Sequence, residues 1–403
     1  MLGATFFNWI FAKVISNKHS KLALGTIVVC NIALLGFFKL GNRMGLSILI
    51  PLGISYYIFK MISFQVDLYR GSITEYSLRD MASYFFFFPQ IIAGPIARFS
   101  YFKDNGFLRV EDSNRPSFTT ILSQVEDGLK IFTLGLFMKV IIADHIALLW
   151  SDLRTIGYES ISTPLAWLGA YTYSLNLYFD FWGYSLMAAG LGVMFGFPFI
   201  SNFDQPYASS SVSEFYRRWH STLGSWFRDY VYFPLGGSRK GAFRTFINLC
   251  IVWIITGVWH GLTPNFMAWA MFICAIIILE KFLISKSKVV YAIVGRINVL
   301  VLIPISWVIF ALHSLKNLRI YILRLLPVVD ISKAVNTHDI FYLLEDYWIY
   351  LVIALVFAVP LWRDFYRKHK NNIFVVIGLF VMFWISIFSL SNSSGNPFMY
   401  LKF

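Results

Sequence analysis

The feature that most limits what this chain can fold into is a succession of apolar windows, each about 20 residues long, separated by short loops rich in lysine and arginine. A bilayer core of roughly 30 Å is crossed by about 20 helical residues, because a helix satisfies its own backbone groups in hydrocarbon. Windows of this kind lie at 22–40, 46–66, 129–150, 163–181, 183–200, 245–263, 264–280, 290–313, 347–361 and 373–391. The chain therefore reads as an all-α polytopic membrane protein with about ten transmembrane or re-entrant helices. At 58% hydrophobic, 19% aromatic and 14% charged, its 403 residues exclude an ordinary soluble domain. The formal net charge of +13 is carried by loops between apolar windows. That is the pattern of cytoplasmic membrane loops, and it argues against a nucleic-acid partner. No internal repeat or second domain is visible, so residues 1–403 read as a single transmembrane domain.

Two stretches resist this simple division. Tyr84 to Phe99, "YFFFFPQIIAGPIARF", is apolar, yet Pro89, Gly94 and Pro95 break a helix and release backbone polar groups. Such backbone is tolerated at membrane depth only when buried in protein or lining a cavity, so a re-entrant segment is expected. Ser201 to Thr245 is a long polar and aromatic insertion, expected on the cytoplasmic face. The basic "RDFYRKHKNN", Arg363 to Asn372, reads as cytoplasmic, and the acidic loop from Asp330 to Asp346 as external. This places the terminal "NPFMYLKF" outside. It also runs 245–263 outward from Arg244 and 264–280 back toward Lys281, Lys286 and Lys288. Counting forward from the basic N-terminus gives a conflict, because two full spans within 163–200 would put the arginine-rich insertion outside. Met1 to Ile15 lacks the basic start and clean apolar core of a cleavable signal peptide. Cys30, Cys250 and Cys274 fall in apolar windows without metal-ligand spacing and read as packing residues.

The stretch "IVWIITGVWHGLTPNF" reads as a membrane helix until it reaches one imidazole, His260, flanked by Trp259 and Gly261. Counted from the start of its window, His260 lies about 15 residues, or roughly 22 Å, along the helix. An ionisable side chain at such depth is a functional candidate by default. A second histidine, His220, also follows a tryptophan, Trp219, within "SVSEFYRRWHSTLGSWFRDYVYFPLGGSRKG". There Arg217, Arg218 and Arg228 alternate with Phe215, Tyr216, Trp219, Trp226 and Phe227. The pattern fits an amphipathic interfacial helix with snorkelling arginines, and it equally fits a vestibule that attracts a phosphate-bearing anionic donor. "LGGSRKG" lacks the spacing of a phosphate-binding loop, and no histidine pair has metal-ligand spacing. With no G-x-S-x-G elbow and no cysteine in a catalytic context, direct attack by a substrate hydroxyl, activated by His260, is the economical chemistry. A non-catalytic channel or transporter gated by the histidines is the competing class.

The segments "PLGISYYIF", "FFPQIIAGPIARF", "YFDFWGYSLMAAGLGVMFGF", the arginine-rich stretch above, "GVWHG" and "NPFMYLKF" together resemble the membrane-bound O-acyltransferase family. The likeness is to its bacterial branch of alginate O-acetylation proteins and teichoic-acid D-alanyl transferases. It implies a horseshoe of membrane helices around a thinned centre, with a cytoplasmic donor funnel meeting an external acceptor pocket in a central tunnel. It implies that His260 is the near-invariant family histidine and His220 the second, supporting one. Arg217, Arg218, Trp219, Arg228, Asp180, Tyr184 and Trp259 are expected to bind substrate. "AGPIARF" is similar to the alginate branch, which implies acetyl transfer in the bacterial cytoplasmic (inner) membrane. The donor substrate would be acetyl-CoA or another acyl thioester, with no bound cofactor and no metal. The acceptor would be a hydroxyl of an exopolysaccharide or peptidoglycan, reached directly or through an external partner protein. D-alanyl transfer to teichoic acid from a carrier protein is the alternative within the family. Two departures stand out. Trp182 and Leu186 replace the serine and aspartate of the family's F-D-F-S-G-Y-S-D, and the chain begins at a point well inside the usual N-terminal region.

Overall fold

The computed structural model describes residues 1–41, 48–92, 94–104, 116–284, 287–327 and 335–392. The expectations for "NPFMYLKF", Lys286, Asp330, Lys333 and Ala93 lie outside the described residues. All regular structure within them is helical. In chain order the helices are α1 Leu2–Lys18, α2 Lys21–Gly41, α3 Ile54–Tyr69, α4 Leu78–Phe85, α5 Phe99–Asp104, α6 Phe118–Phe137, α7 Asp144–Ile156, α8 Thr163–Met194 and α9 Val212–Arg218. They continue as α10 Ser221–Phe227, α11 Ala242–His260, α12 Pro264–Phe282, α13 Lys288–Ile297, α14 Ile303–Ala311, α15 Leu315–Arg324, α16 Asp339–Ala358, α17 Pro360–His369 and α18 Ile373–Ser391. The fold is that of an all-α polytopic membrane protein. Among the described residues, seven segments are long and apolar enough to cross a membrane: Lys21–Gly41, Phe118–Ile156, Gly241–His260, Pro264–Phe282, Val289–Ala311, Asp339–Ala358 and Ile373–Ser391. The chain forms two compact units, each discontinuous in sequence.

The first unit comprises Met1–Phe132, Ser185–Asn202 and Ser225–Val231. Its α1 was not expected, because Asn8 and Lys13 interrupt the apolar run. The structure gives both a partner. The Asn8 and Asn31 side-chain amides pair reciprocally at 3.0 Å, and Gln65 Nε2 donates to the Asn8 carbonyl at 2.7 Å. Lys13 lies over the Trp9 ring at 3.7 Å. Amide pairs of this kind join α1, α2 and α3 where apolar packing alone gives little preference between helix and lipid. In place of a span, Tyr84 to Phe99 contributes the end of α4, a 3₁₀ turn at Phe88–Gln90 and the start of α5, with Tyr84, Phe85, Pro89 and Phe99 buried. This irregular backbone is covered by protein, as the energetics of hydrocarbon require.

The second unit comprises Thr133–Tyr184, Phe203–Gly224 and Tyr232–Phe403. Windows 163–181 and 183–200 are not two spans. They belong largely to one continuous helix, α8. Gly183, at the start of the second window, is a close-approach residue within that helix. A Cβ there would lie 2.7 Å from the Gly135 carbonyl and 2.9 Å from Lys139 N. The last expected loop also shortens, since α16 starts at Asp339 and takes in Glu345 and Asp346. Asp339 accepts hydrogen bonds from Ser162 N at 2.8 Å and Ser162 Oγ at 2.5 Å, so an acid that reads as loop charge fixes the start of a helix.

Candidate active site

The site is built around α9 in the second unit, and a buried acid holds α9 in place. Glu280, near the end of α12, is fully buried. Its carboxylate accepts from Val212 N at 2.9 Å, Ser213 N at 3.1 Å, Ser213 Oγ at 3.2 Å and Asn298 Nδ2 at 3.2 Å. The Val212 and Ser213 N–H groups are orphan amides of the first turn of α9, where negative charge is favoured. Arg296 donates to the Ser209 carbonyl at 3.0 Å, and Gly295 leaves room for the Ser210 carbonyl, which would sit 2.2 Å from a Cβ. From this anchor α9 runs along α12. Tyr216 packs edge-on to Trp253 at 4.9 Å and to Trp269 at 6.4 Å. Trp269 is about 16 Å along α12 from Glu280, at 1.5 Å per residue.

This arrangement replaces the expected amphipathic surface helix. The stretch is two seven-residue helices, α9 and α10, broken at His220, whose φ of 44° is left-handed. Histidine is among the few non-glycine residues enriched there. Phe215 and Trp219 point inward, so the rings are core and only part of the cationic face remains outside. His220 is 4% exposed and meets Phe181 of α8 edge-on at 4.7 Å. Burial pushes its pKa down to about 3, so the imidazole is neutral at physiological pH.

A continuous series of rings links the two histidines' surroundings. Trp219 packs on Trp307 at 4.9 Å, Trp307 stacks on Trp269 at 5.7 Å, and Trp269 meets His260 edge-on at 5.1 Å. His260 is the last residue of α11, about 27 Å from its start, so it stands at the far end of the helix and not merely past its middle. Trp259 at 4.6 Å, Phe310 at 5.3 Å and Phe266 at 6.1 Å complete an aromatic box that leaves the imidazole 8% exposed. One turn earlier Gly257 lets α11 and α12 approach, since a Cβ would lie 3.0 Å from Ala270 Cβ and 3.3 Å from the Phe266 carbonyl. An imidazole screened from bulk water, with a small opening, has the form of a general base for a hydroxyl.

The remaining expected site residues separate. Arg217 is exposed and makes no ion pair among the described residues. Arg218 pairs with Glu214 and donates to the Asp204 carbonyl at 3.5 Å, while Glu214 also accepts from Ser210 N at 2.8 Å. Despite partial desolvation, the Ser210 hydrogen bonds and Arg218 hold the Glu214 carboxyl below its usual range. Asp180 lies in a buried ion triad, 2.8 Å from Lys139, which also pairs with Asp144. Tyr184 follows Gly183 on α8 and is half-buried. Arg228 belongs to the first unit, where it pairs with Asp229 at 3.0 Å. Asp229 is also the partner of Arg98, and the neighbouring Tyr230 hydroxyl donates to Asp67 at 2.7 Å. Sequence reasoning missed Trp269, Trp307 and Phe310, since aromatic residues in apolar windows look like ordinary core. It also missed Glu280, although a lone acid closing an apolar window is a signal in its own right.

The sequence profile of the membrane-bound O-acyltransferase family matches residues 14–316, a range that contains both histidines, the ring series and segments of both units. The chain belongs to the membrane-bound O-acyltransferase family. It is 36% identical to a probable alginate O-acetylase of Pseudomonas syringae pv. tomato over 78% of its own length, and spans 63% of the length of that relative. With the probable alginate O-acetylase of Pseudomonas putida the identity is 33%, over 100% of this chain and 89% of the relative. With the peptidoglycan O-acetyltransferase of Helicobacter pylori it is 32%, over 67% of this chain and 58% of the relative. No group of three or more histidine, cysteine, aspartate or glutamate side chains among the described residues of this chain could hold a metal ion.

Proposed function

We propose that the protein is an O-acetyltransferase of the bacterial cytoplasmic membrane. In this reading acetyl-CoA, or another acyl thioester, binds from the cytoplasm, and the acetyl group is delivered to a hydroxyl of an envelope polysaccharide on the opposite face. The observation that carries it is the placement of His260 at the far end of α11, joined ring by ring to Trp219 at the end of α9, the helix that also carries the exposed Arg217. The names of the relatives add an acetyl group and a sugar polymer, and family membership speaks against a non-catalytic channel. Whether the polysaccharide is reached directly or through an external partner, the chemistry at His260 is the same. The acceptor oxygen attacks the thioester carbonyl carbon as His260 takes its proton; the C–O bond forms, the C–S bond breaks, and the proton leaves with the thiolate as free thiol. His220, neutral and wedged against Phe181, is a positioning residue that holds the α9–α10 break. Cells carrying His260→Ala in place of the wild-type protein, at matched protein levels, should lose polysaccharide O-acetyl groups; retention of the wild-type content would reject the reading.

The two neighbouring arginines should behave differently. Arg217→Gln should raise the donor KM about three- to tenfold at low ionic strength, an effect that shrinks as salt screens the wild type. Arg218→Gln should lower the melting temperature of the detergent-solubilised protein and leave the donor KM unchanged, because its guanidinium is committed to Glu214 and Asp204. Donor kinetics at two salt concentrations beside thermal melting separate these outcomes. A donor KM that ignores Arg217→Gln would return this exposed cation to membrane-surface anchoring.

A further inference from the structure

A second imidazole stands at the α11–α12 turn. Asn265, the second residue of α12, has 0% exposure, and both ends of its amide are engaged. Its Nδ2 donates to the Phe310 carbonyl at 2.7 Å, which leaves Oδ1 as the acceptor for His313 Nδ1 at 3.1 Å. That polarity fixes the tautomer. Nδ1 carries the hydrogen, and Nε2 presents its lone pair. His313 lies just beyond α14 and is exposed. Phe266 stands between the two imidazoles, its ring centre 5.9 Å from His313 and 6.1 Å from His260. Phe310, one wall of the His260 box, supplies the carbonyl that orients Asn265. A fully buried amide costs free energy unless each end is used, so a position needing only packing would be apolar. This one is spent on aiming a histidine.

We propose that His313, oriented by Asn265, binds the acceptor: its Nε2 accepts a hydrogen bond from a sugar hydroxyl at the rim of the His260 box. The dyad sits at the end of the α11–α12 pair opposite Glu280 and the anchored start of α9, which assigns it to the acceptor and not to the donor thioester. The inference rests on the proposed acyl transfer, and adds where a polyhydroxylated acceptor is held before His260 removes its proton.

The test uses the full-length protein in proteoliposomes, acetyl-labelled acetyl-CoA as donor and a uronate oligosaccharide with free secondary hydroxyls as acceptor. His313→Ala should raise the acceptor KM about fivefold to tenfold, the loss of one hydrogen bond of roughly 1 kcal/mol, with donor KM and melting temperature unchanged. His313→Gln retains an acceptor oxygen and should recover part of that loss, while Asn265→Ala should raise the acceptor KM like His313→Ala. An unchanged acceptor KM in folded His313→Ala overturns the proposal, as does a parallel shift of acceptor KM, donor KM and melting temperature, which would mark a structural role. If instead His260→Ala transfers label at the wild-type rate, the underlying acyl-transfer reading fails, a result distinct from either.

Discussion

Replacing His260 with glutamine should slow acyl transfer by about 10²- to 10⁴-fold, the usual contribution of a positioned general base, with little change in the amount of folded protein. Glutamine is close in size and can still form a hydrogen bond within the box of Trp259, Trp269, Phe266 and Phe310, but it cannot take a proton from a hydroxyl and return it. The loss should appear in single-turnover transfer with saturating donor, where binding no longer contributes. His220→Asn provides the contrast. Asparagine tolerates the left-handed backbone at that position, and the native imidazole is already held neutral by burial, so the variant should keep measurable transfer with weaker use of donor. Equal residual rates in the two variants would contradict this division of roles.

Replacing Lys139 with methionine should cost about 3–5 kcal/mol of stability and most of the recoverable protein. Lys139 lies in the π-helical turn Met138–Ala143 between α6 and α7, and it is the shared cation of Asp144 and Asp180. Removing it takes away the ammonium that both carboxylates share and leaves their desolvation poorly compensated. Asp180→Asn should be milder, because Asp144 remains on Lys139. Yield and melting temperature in detergent measure both. These expectations also separate the two readings of Asp180. In the triad, Asp180→Asn lowers the melting temperature and leaves both KM values alone. As a wall of the acceptor path, it would raise the acceptor KM at unchanged stability.

Much of this was legible in the residues, and the failures have physical causes. The membrane class followed from window length and composition, and His260 stood out because an ionisable ring among so many apolar neighbours is a functional candidate, although a histidine near a helix end more often serves as a structural donor. The shape of the arginine-rich stretch did not follow. Arginines alternating with rings describe an interfacial helix and an inserted one equally well, and the break that decides between them falls on His220, which carries no glycine or proline to announce it. The division into windows 163–181 and 183–200 erred in the opposite sense, since Gly183 lies inside one continuous helix and permits close helix approach there. Asn8 and Lys13 disguised α1, because hydropathy cannot register an amide pair or a ring under an ammonium. The ion pair of Asp180 was not legible either, because its partner, Lys139, lies 41 residues earlier in the chain and becomes a neighbour only on folding.

The central claim is that one membrane protein takes an acyl group from a thioester on one face and leaves it on a hydroxyl at the other. Its most direct test places acetyl-labelled acetyl-CoA outside sealed proteoliposomes and polysaccharide acceptor inside, beside a parallel sample given a D-alanyl-charged carrier protein. The account predicts labelled ester on the enclosed acceptor from acetyl-CoA, none from the carrier, and none from either donor with His260→Ala. Label arriving from the carrier alone, or arriving undiminished in His260→Ala, would contradict it.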